Sequence, residues 1–278
     1  SMNNLADEDG DILHIPHGDM PGDKINIEKS HIEKAKVIFP ELIKKVKECA
    51  TTNSKVVITV CGGSGVGKSE IASLLAHYFE NMGVGCYTLS GDNYPYRIPV
   101  YNDAERLRIF RESAIRGMIT DGEYSFERFN IIHQYQLENK DSEPKNIVKY
   151  PWYESYIRNG AMGLQGYLGT EKEINFFEIQ NIVKEFKSGA EKIWLKRMGR
   201  EDTELWYEEV DFSEKDILII EWTHGNSKNY TGVDIPVLLN STPKETLAHR
   251  RSRNRDGAVD SPFTTLVLAP EQKLLRRD

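Results

Sequence analysis

No stretch of the 278 residues holds the run of about 18 apolar side chains that a membrane-spanning helix needs. The N-terminus also lacks the basic-then-apolar pattern of a secretory leader and is acidic instead, at Asp7, Glu8, Asp9 and Asp11. Cysteine is scarce. Cys49, Cys61 and Cys86 show no metal-ligand spacing, and an odd number argues against a disulfide framework. Cys61 and Cys86 lie in or beside strand-like runs, where a small buried thiol is the expected role. These features point to a reducing compartment, and a cytoplasmic location is expected. An excess of positive charge is missing too. With a net charge of −7 the chain has little basic surface for displacing counterions from nucleic acid, so neither a nucleic acid nor a membrane is expected as a partner. What remains is a chain with 39% hydrophobic residues and a mean hydropathy of −0.53. That suits one large soluble α/β domain with insertions, or at most two small domains.

The organising stretch is Val56 to Ser69. Val56–Val60 is a short β-branched run that reads as a buried parallel strand. It breaks into glycines and then enters a helix near Lys68 whose apolar positions (Ile71, Leu74, Leu75, Tyr78, Phe79) recur at helical spacing. Gly62, Gly67, Lys68 and Ser69 meet the Walker A pattern G-x-x-x-x-G-K-S. Glycines let successive backbone N–H groups turn inward around phosphate oxygens, and the helix N-terminus adds its positive end. In this motif Lys68 reaches the β- and γ-phosphates and the Ser69 hydroxyl sits on Mg²⁺. The alternative is a glycine-rich strand-to-helix turn with no ligand; the strand before the motif and the apolar-periodic helix after it favour nucleotide binding. The nucleotide cradle is therefore Gly62, Gly63, Ser64, Gly65, Val66, Gly67, Lys68 and Ser69.

The flanks follow in order. Residues 2–25 are polar and read as an extended, loosely attached arm. From Ile27 to Cys49 the apolar spacing predicts a helix, which Pro40 is expected to kink or divide. Past the P-loop helix, Cys86–Ser90 reads as a second strand, followed at once by Gly91–Asp92–Asn93–Tyr94. Ligands of open parallel sheets bind beyond the carboxyl ends of the strands, so Asp92 is expected on the same rim as Lys68. Residues 98–172 begin with a charged helix, Ala104–Met118, carrying Arg106, Arg108, Arg111 and Arg116. A helix over Ile131–Leu137, the aromatics Trp152, Tyr153 and Tyr156, and a stretch broken by Gly160, Gly163, Gly166 and Gly169 follow. Arginines interleaved with aromatics suggest an acceptor pocket that recognises an anion; a solvated helix face beside ordinary core aromatics reads the residues equally well.

Asn175–Phe186 is helical again, and Asp216–Glu221 is a fully buried strand that ends on a carboxylate. A charge at the tip of an apolar strand is poor for packing and well placed to hold Mg²⁺ beside the P-loop. Trp222–Thr223–His224–Gly225–Asn226 follows on the same rim, then a strand over Ile235–Asn240 and a helix over Pro243–Arg253. The run His249–Gly257 carries Arg250, Arg251, Arg253 and Arg255, and in an acidic chain with one P-loop it reads as an arginine-bearing lid over the triphosphate. Thr264–Leu268 reads as a short strand and Glu271–Arg277 as a turn or two of helix.

Four stretches, G-G-S-G-V-G-K-S at 62–69, G-D-N-Y at 91–94, L-I-I-E at 218–221 and R-R-S-R-N-R-D at 250–256, together resemble the phosphoribulokinase/uridine kinase family of P-loop kinases. I-N-F-F-E-I at 174–179 looks like the uridine kinases, and E-W-T-H-G-N at 221–226 looks more like the phosphoribulokinases. The resemblance implies ATP and Mg²⁺ as cofactors, Asp92 as base toward the acceptor hydroxyl, and Ser69 and Glu221 as magnesium ligands. It also implies lid contacts from Arg251, Arg253 and Arg255. Tyr94, Arg97 and His224 are the acceptor-side candidates. The nucleoside-holding elements of uridine kinases are not recognisable between 190 and 212.

The expected fold is a three-layer α/β/α P-loop architecture with a mostly parallel sheet. Residues 1–54 form an N-terminal arm and helix, 55–278 the kinase domain, and 98–172 an inserted acceptor region. The expected activity is transfer of the γ-phosphoryl group of ATP to a hydroxyl of a small metabolite, a nucleoside, sugar or sugar phosphate, with homo-oligomerisation left open. The rival is a nucleotide-dependent regulatory ATPase or switch, and Asp92 discriminates. A switch needs a residue that positions water, whereas a kinase needs a base facing an acceptor.

Overall fold

The computed structural model describes residue 15 and residues 17–240. The expected helix 243–253, the lid with Arg251, Arg253 and Arg255, the strand 264–268 and the turn 271–277 lie outside the described residues. In chain order the elements are α1 (Lys29–Ala50), β1 (Val56–Gly62), α2 (Lys68–Asn81), β2 (Cys86–Ser90), a 3₁₀ turn (Gly91–Asn93), α3 (Pro99–Thr120) and α4 (Phe126–Leu137). There follow α5 (Lys145–Lys149), α6 (Tyr153–Gln165), α7 (Phe176–Lys187), β3 (Lys192–Met198), β4 (Leu205–Asp211), β5 (Ile217–Glu221) and β6 (Ile235–Leu239). They belong to two units. One runs to Tyr94 and resumes at Asn175; the other is Pro95–Ile174.

The first unit is built on a sheet in the order β2-β5-β1-β6, with every pairing parallel. Its two central strands, β1 and β5, are buried along their whole length, as their unbroken apolar sequences require when helices cover both faces. On one face Val56, Ile58, Val60, Ile217, Ile219 and Ile235 meet Ala35, Phe39 and Leu42 of α1 and the apolar stripe of α2. Phe39 lies edge-on to Phe79, ring centroids 5.0 Å apart. Burying a ring of that size is worth about 2–3 kcal/mol. On the other face Tyr87, Phe212 and Phe186 of α7 form a chain of ring contacts at 5.1 and 5.8 Å.

Three expectations need correction here. Helix α1 runs unbroken through Pro40. Pro40 lies on the exposed side of the helix, where water can take the carbonyl that loses its N–H partner. The arm before α1 is not loose where it is described: Ile15 joins the core and Asp19 is buried against β2 and β3. The antiparallel hairpin β3–β4 was not expected at all. Its sequence hides it, because Lys196 and Arg197 are among the residues it buries while Trp194 is exposed.

The second unit is helical, with Phe110, Ala114, Met118, Ile132, Tyr153, Tyr156 and Leu164 at its core. The stretch expected to be broken by glycines is instead a helix through Gly163. Gly160 and Gly163 are contact points: a Cβ on Gly160 would lie 2.5 Å from the Phe110 ring, and one on Gly163 would run into Ser113. The entropy that glycine costs a helix is offset by this close approach of α3 and α6. The arginines meet carboxylates of their own unit. Arg111 makes a two-pronged contact with buried Asp141 at 3.0 and 2.8 Å, and Arg106 reaches Glu173 at 2.8 Å. Arg108 and Arg116 pair with glutamates along α3.

Candidate active site

The carboxyl ends of β1, β2 and β5 form one rim of the sheet unit. The parallel register sets Glu221 level with Val60 on one side and Ser90 on the other. The terminal carboxylate of β5 is thus held between the start of the P-loop and the start of the Asp92 turn. It is buried, with 5% of its surface exposed.

The P-loop takes its shape from glycine. Gly62 has φ +155°, and a Cβ there would lie 2.6 Å from the Leu239 carbonyl oxygen of the neighbouring strand. Gly67, which caps α2, has φ +91° and faces the imidazole of His31 at 3.1 Å from the Cβ position. His31 accepts a hydrogen bond from the Glu28 N–H at 2.9 Å and so fixes the first turn of α1 against the loop. No sequence signal marked His31. Lys68 is nine-tenths buried, and its ammonium donates to the Gly63 carbonyl at 2.9 Å, folded back over the loop. The N–H groups of Ser64, Gly65 and Gly67 donate to no backbone carbonyl among the described residues. Backbone donors at buried positions such as Gly65 and Gly67 are seldom left in that state, and with the half-buried Ser64, an ammonium and a helix N-terminus they fit phosphate oxygens.

Ser69 opens α2 beside Lys68 and is partly exposed. Among the described residues no three His, Cys, Asp or Glu side chains converge as a metal cluster. One hydroxyl and one carboxylate next to a phosphate cradle fit Mg²⁺, which takes few protein ligands and completes its shell with water and phosphate. The residues therefore suit a magnesium-bound triphosphate.

Asp92 stands on the 3₁₀ turn after β2 with its side chain exposed. Its N–H donates to the Ser90 hydroxyl at 3.4 Å. Asn93 is buried and reaches in two directions: its amide donates to Asp19 at 3.1 Å, and its carbonyl oxygen accepts from the Met198 N–H at 3.0 Å. Asp19 also accepts from the Ser90 N–H and the Tyr87 hydroxyl, each at 2.7 Å, and from Arg197 at 3.1 Å. Burial pushes the Asp19 carboxyl above its ordinary range, and Arg197 and the other donors pull it back. The sequence offered nothing to select Asp19 from the other acidic residues of the arm.

The acceptor-side candidates are described each within its own unit. Tyr94 is fully buried, and its hydroxyl has no hydrogen-bond partner among the described residues. Burial raises its pKa, so the ring is core rather than a surface offered to an acceptor. His224 is nine-tenths buried, perpendicular to Trp222 with centroids 5.4 Å apart. The segment beyond Glu221 is tied down by the Tyr230 hydroxyl on the Gly225 carbonyl at 2.6 Å, and Trp222 packs on Gly91, where a Cβ would strike the indole. Arg97 belongs to the helical unit and donates to the Tyr167 hydroxyl at 3.1 Å.

Comparison with known proteins adds three findings. The family model for zeta toxin matches residues 40–116, which take in β1, the P-loop and β2. A bifunctional α-galactosidase/sucrose kinase from Mediterraneibacter gnavus is 39% identical over 236 residues, 84% of this chain. The chain spans 20% of that relative's length. A solved structure described as a candidate fructose transport system kinase, from a Silicibacter species, aligns with a TM-score of 0.48 and 14% identity over 84% of this chain and 87% of that one. The zeta toxin match covers the Walker A segment, and the α/β scaffold is that of the sheet unit itself. None of the three is named as a phosphoribulokinase or a uridine kinase.

Proposed function

We propose that this chain is an ATP-dependent kinase acting on a hydroxyl of a sugar, with sucrose the first acceptor to test. The observation that carries the reading is the rim itself: P-loop N–H groups that donate to no backbone carbonyl among the described residues, with Lys68, a strand-end carboxylate in register beside them, and an exposed carboxylate on the next turn. The relative, a bifunctional α-galactosidase/sucrose kinase, supplies the acceptor class. The expected resemblance to phosphoribulokinases and uridine kinases now concerns the shared layout of the rim rather than their acceptors.

Phosphoryl transfer asks a protein for position and charge more than for covalent chemistry. When bound, ATP with Mg²⁺ supplies the mobile phosphoryl group and screens its charge. In this reading the backbone of Gly62–Gly67 orients the phosphates, and Lys68 leaves the Gly63 carbonyl to meet the β- and γ-oxygens. Ser69 and Glu221 hold the cation, and Asp92 takes the proton from the acceptor hydroxyl. Arg251, Arg253 and Arg255 belong to the same reading as contacts that close over the triphosphate. Arg97 and His224 are carried as acceptor contacts, and a cytoplasmic location goes with the chain's few thiols.

Asp92→Asn tests the choice between kinase and switch, because it keeps size and polarity but removes the proton acceptor. ATP affinity should stay within about threefold, while turnover with sucrose, or with the sugar that a screen identifies, should fall about 10²–10⁴-fold. Phosphorylation at the wild-type rate would remove Asp92 from the chemistry. A parallel collapse of ATP affinity by calorimetry would move it to the magnesium site instead.

A further inference from the structure

We infer that Asp19, a residue of the arm ahead of α1, is a positioning residue that fixes the turn carrying Asp92. The inference rests on the reading of Asp92 as the base.

The turn cannot hold itself. It is a single 3₁₀ turn of three residues, a form with poor hydrogen-bond geometry. Its own bonds include the Asp92 N–H on the Ser90 hydroxyl at 3.4 Å, the Asn93 amide on the Ser90 carbonyl at 3.5 Å and the Tyr94 N–H on the Gly91 carbonyl at 3.1 Å. Asp19 grips it from both sides. One carboxylate oxygen accepts from the Ser90 N–H, immediately before the turn, at 2.7 Å and from the Asn93 amide, at its last residue, at 3.1 Å. The other oxygen accepts from the Tyr87 hydroxyl at 2.7 Å and from Arg197 at 3.1 Å. Arg197 also donates to the Tyr87 hydroxyl at 3.0 Å, and the Met198 N–H secures the far side of Asn93. β2, the turn and β3 are thus tied to one carboxylate.

A carboxylate has about four lone-pair positions, and these four donors occupy them. Asp19 is therefore no rival base. Asp19 and Arg197 each have 7% of their side-chain surface exposed. A buried ion pair seldom adds stability over an apolar pair of the same volume. What this one supplies is geometry, since four donors from β2, the turn and β3 converge on a single point. A displacement of about 1 Å in a catalytic group costs on the order of 10²-fold in rate.

The test is a double-mutant cycle on the full chain. Asp19→Asn keeps the shape but sets an N–H₂ against donors. It should lower turnover about 10–100-fold, with the KM for ATP and the magnesium titration changed less than about threefold. In the Asp92→Asn background the same change should cost less than about threefold further, because its route runs through Asp92. Amide exchange across residues 88–94 should speed up in Asp19→Asn, a readout that needs no acceptor. If Asp19→Asn does not fold, Tyr87→Phe removes one of the four donors and should show the same coupling at smaller amplitude. Independent, multiplying effects of the two substitutions, or unchanged exchange over 88–94, would overturn the positioning role. Wild-type turnover in Asp92→Asn alone would instead overturn the base assignment, a distinct outcome.

Discussion

In the sheet unit β1 and β5 are buried and mostly apolar, and the candidate site groups stand at their tips: Lys68 and Ser69 beyond one, Glu221 closing the other. In the helical unit two carboxylates lie within the packing. Asp141, 2% exposed, is held by Arg111 and the Tyr156 hydroxyl at 2.7 Å, and Glu173, 1% exposed, by Arg106, Asn102 and the Gly169 N–H. The difference lies in what each unit can spare. The P-loop leaves backbone donors of Ser64, Gly65 and Gly67 unused by backbone carbonyls, whereas Arg106 and Arg111 are already engaged by their own acids. Arginines mixed with aromatics were read as either an anion pocket or a solvated helix face beside core aromatics, whereas Arg106 and Arg111 pair with buried acids of their own unit.

Three substitutions would break or sharpen that contrast. Lys68→Ala should abolish detectable transfer, a loss of about 10²–10³-fold or more, and weaken ATP binding while leaving the melting transition unchanged. Calorimetric ATP affinity equal to that of the wild type would refute the cradle. Arg111→Leu should do the reverse. It strands the Asp141 carboxylate in the helical core, at about 3 kcal/mol by chemical denaturation, while binding of a nonhydrolysable ATP analogue holds within about threefold. A cost below about 1 kcal/mol would mean that Asp141 finds other partners. Glu221→Gln carries the smallest effect, raising the magnesium requirement of turnover about tenfold with little change in metal-free nucleotide binding. An unaltered magnesium titration would return Glu221 to a packing role.

Legibility followed range. β1, β5 and β6 were readable because each is a mostly apolar run and β2 because it follows the glycines that close α2, and α2 and α7 because their apolar stripes repeat at helical spacing. The Walker A segment was readable because glycine, lysine and serine act there through their own backbone and side chains. Pro40 misled because a local rule against proline takes no account of which side of a helix faces water. Gly160 and Gly163 misled because a glycine that breaks an isolated helix is, against Phe110 and Ser113, what lets two helices touch. The hairpin stayed hidden because Lys196 and Arg197 invert the usual pattern of burial, Arg197 meeting its partner Asp19 far away in the chain.

By itself, then, the sequence determined the parallel sheet, the Walker A pattern between β1 and α2 and the order of residues after each strand, since each depends on steric and periodic rules acting over a few neighbours. Only the tertiary structure decided that Glu221 lies level with Ser90 and Val60, that His31 backs the P-loop, and that Tyr94 is core. It alone decided that Asp19 holds the Asp92 turn. A buried polar group is stable only where its partners converge, and those partners came from strands and arms that no local pattern connects.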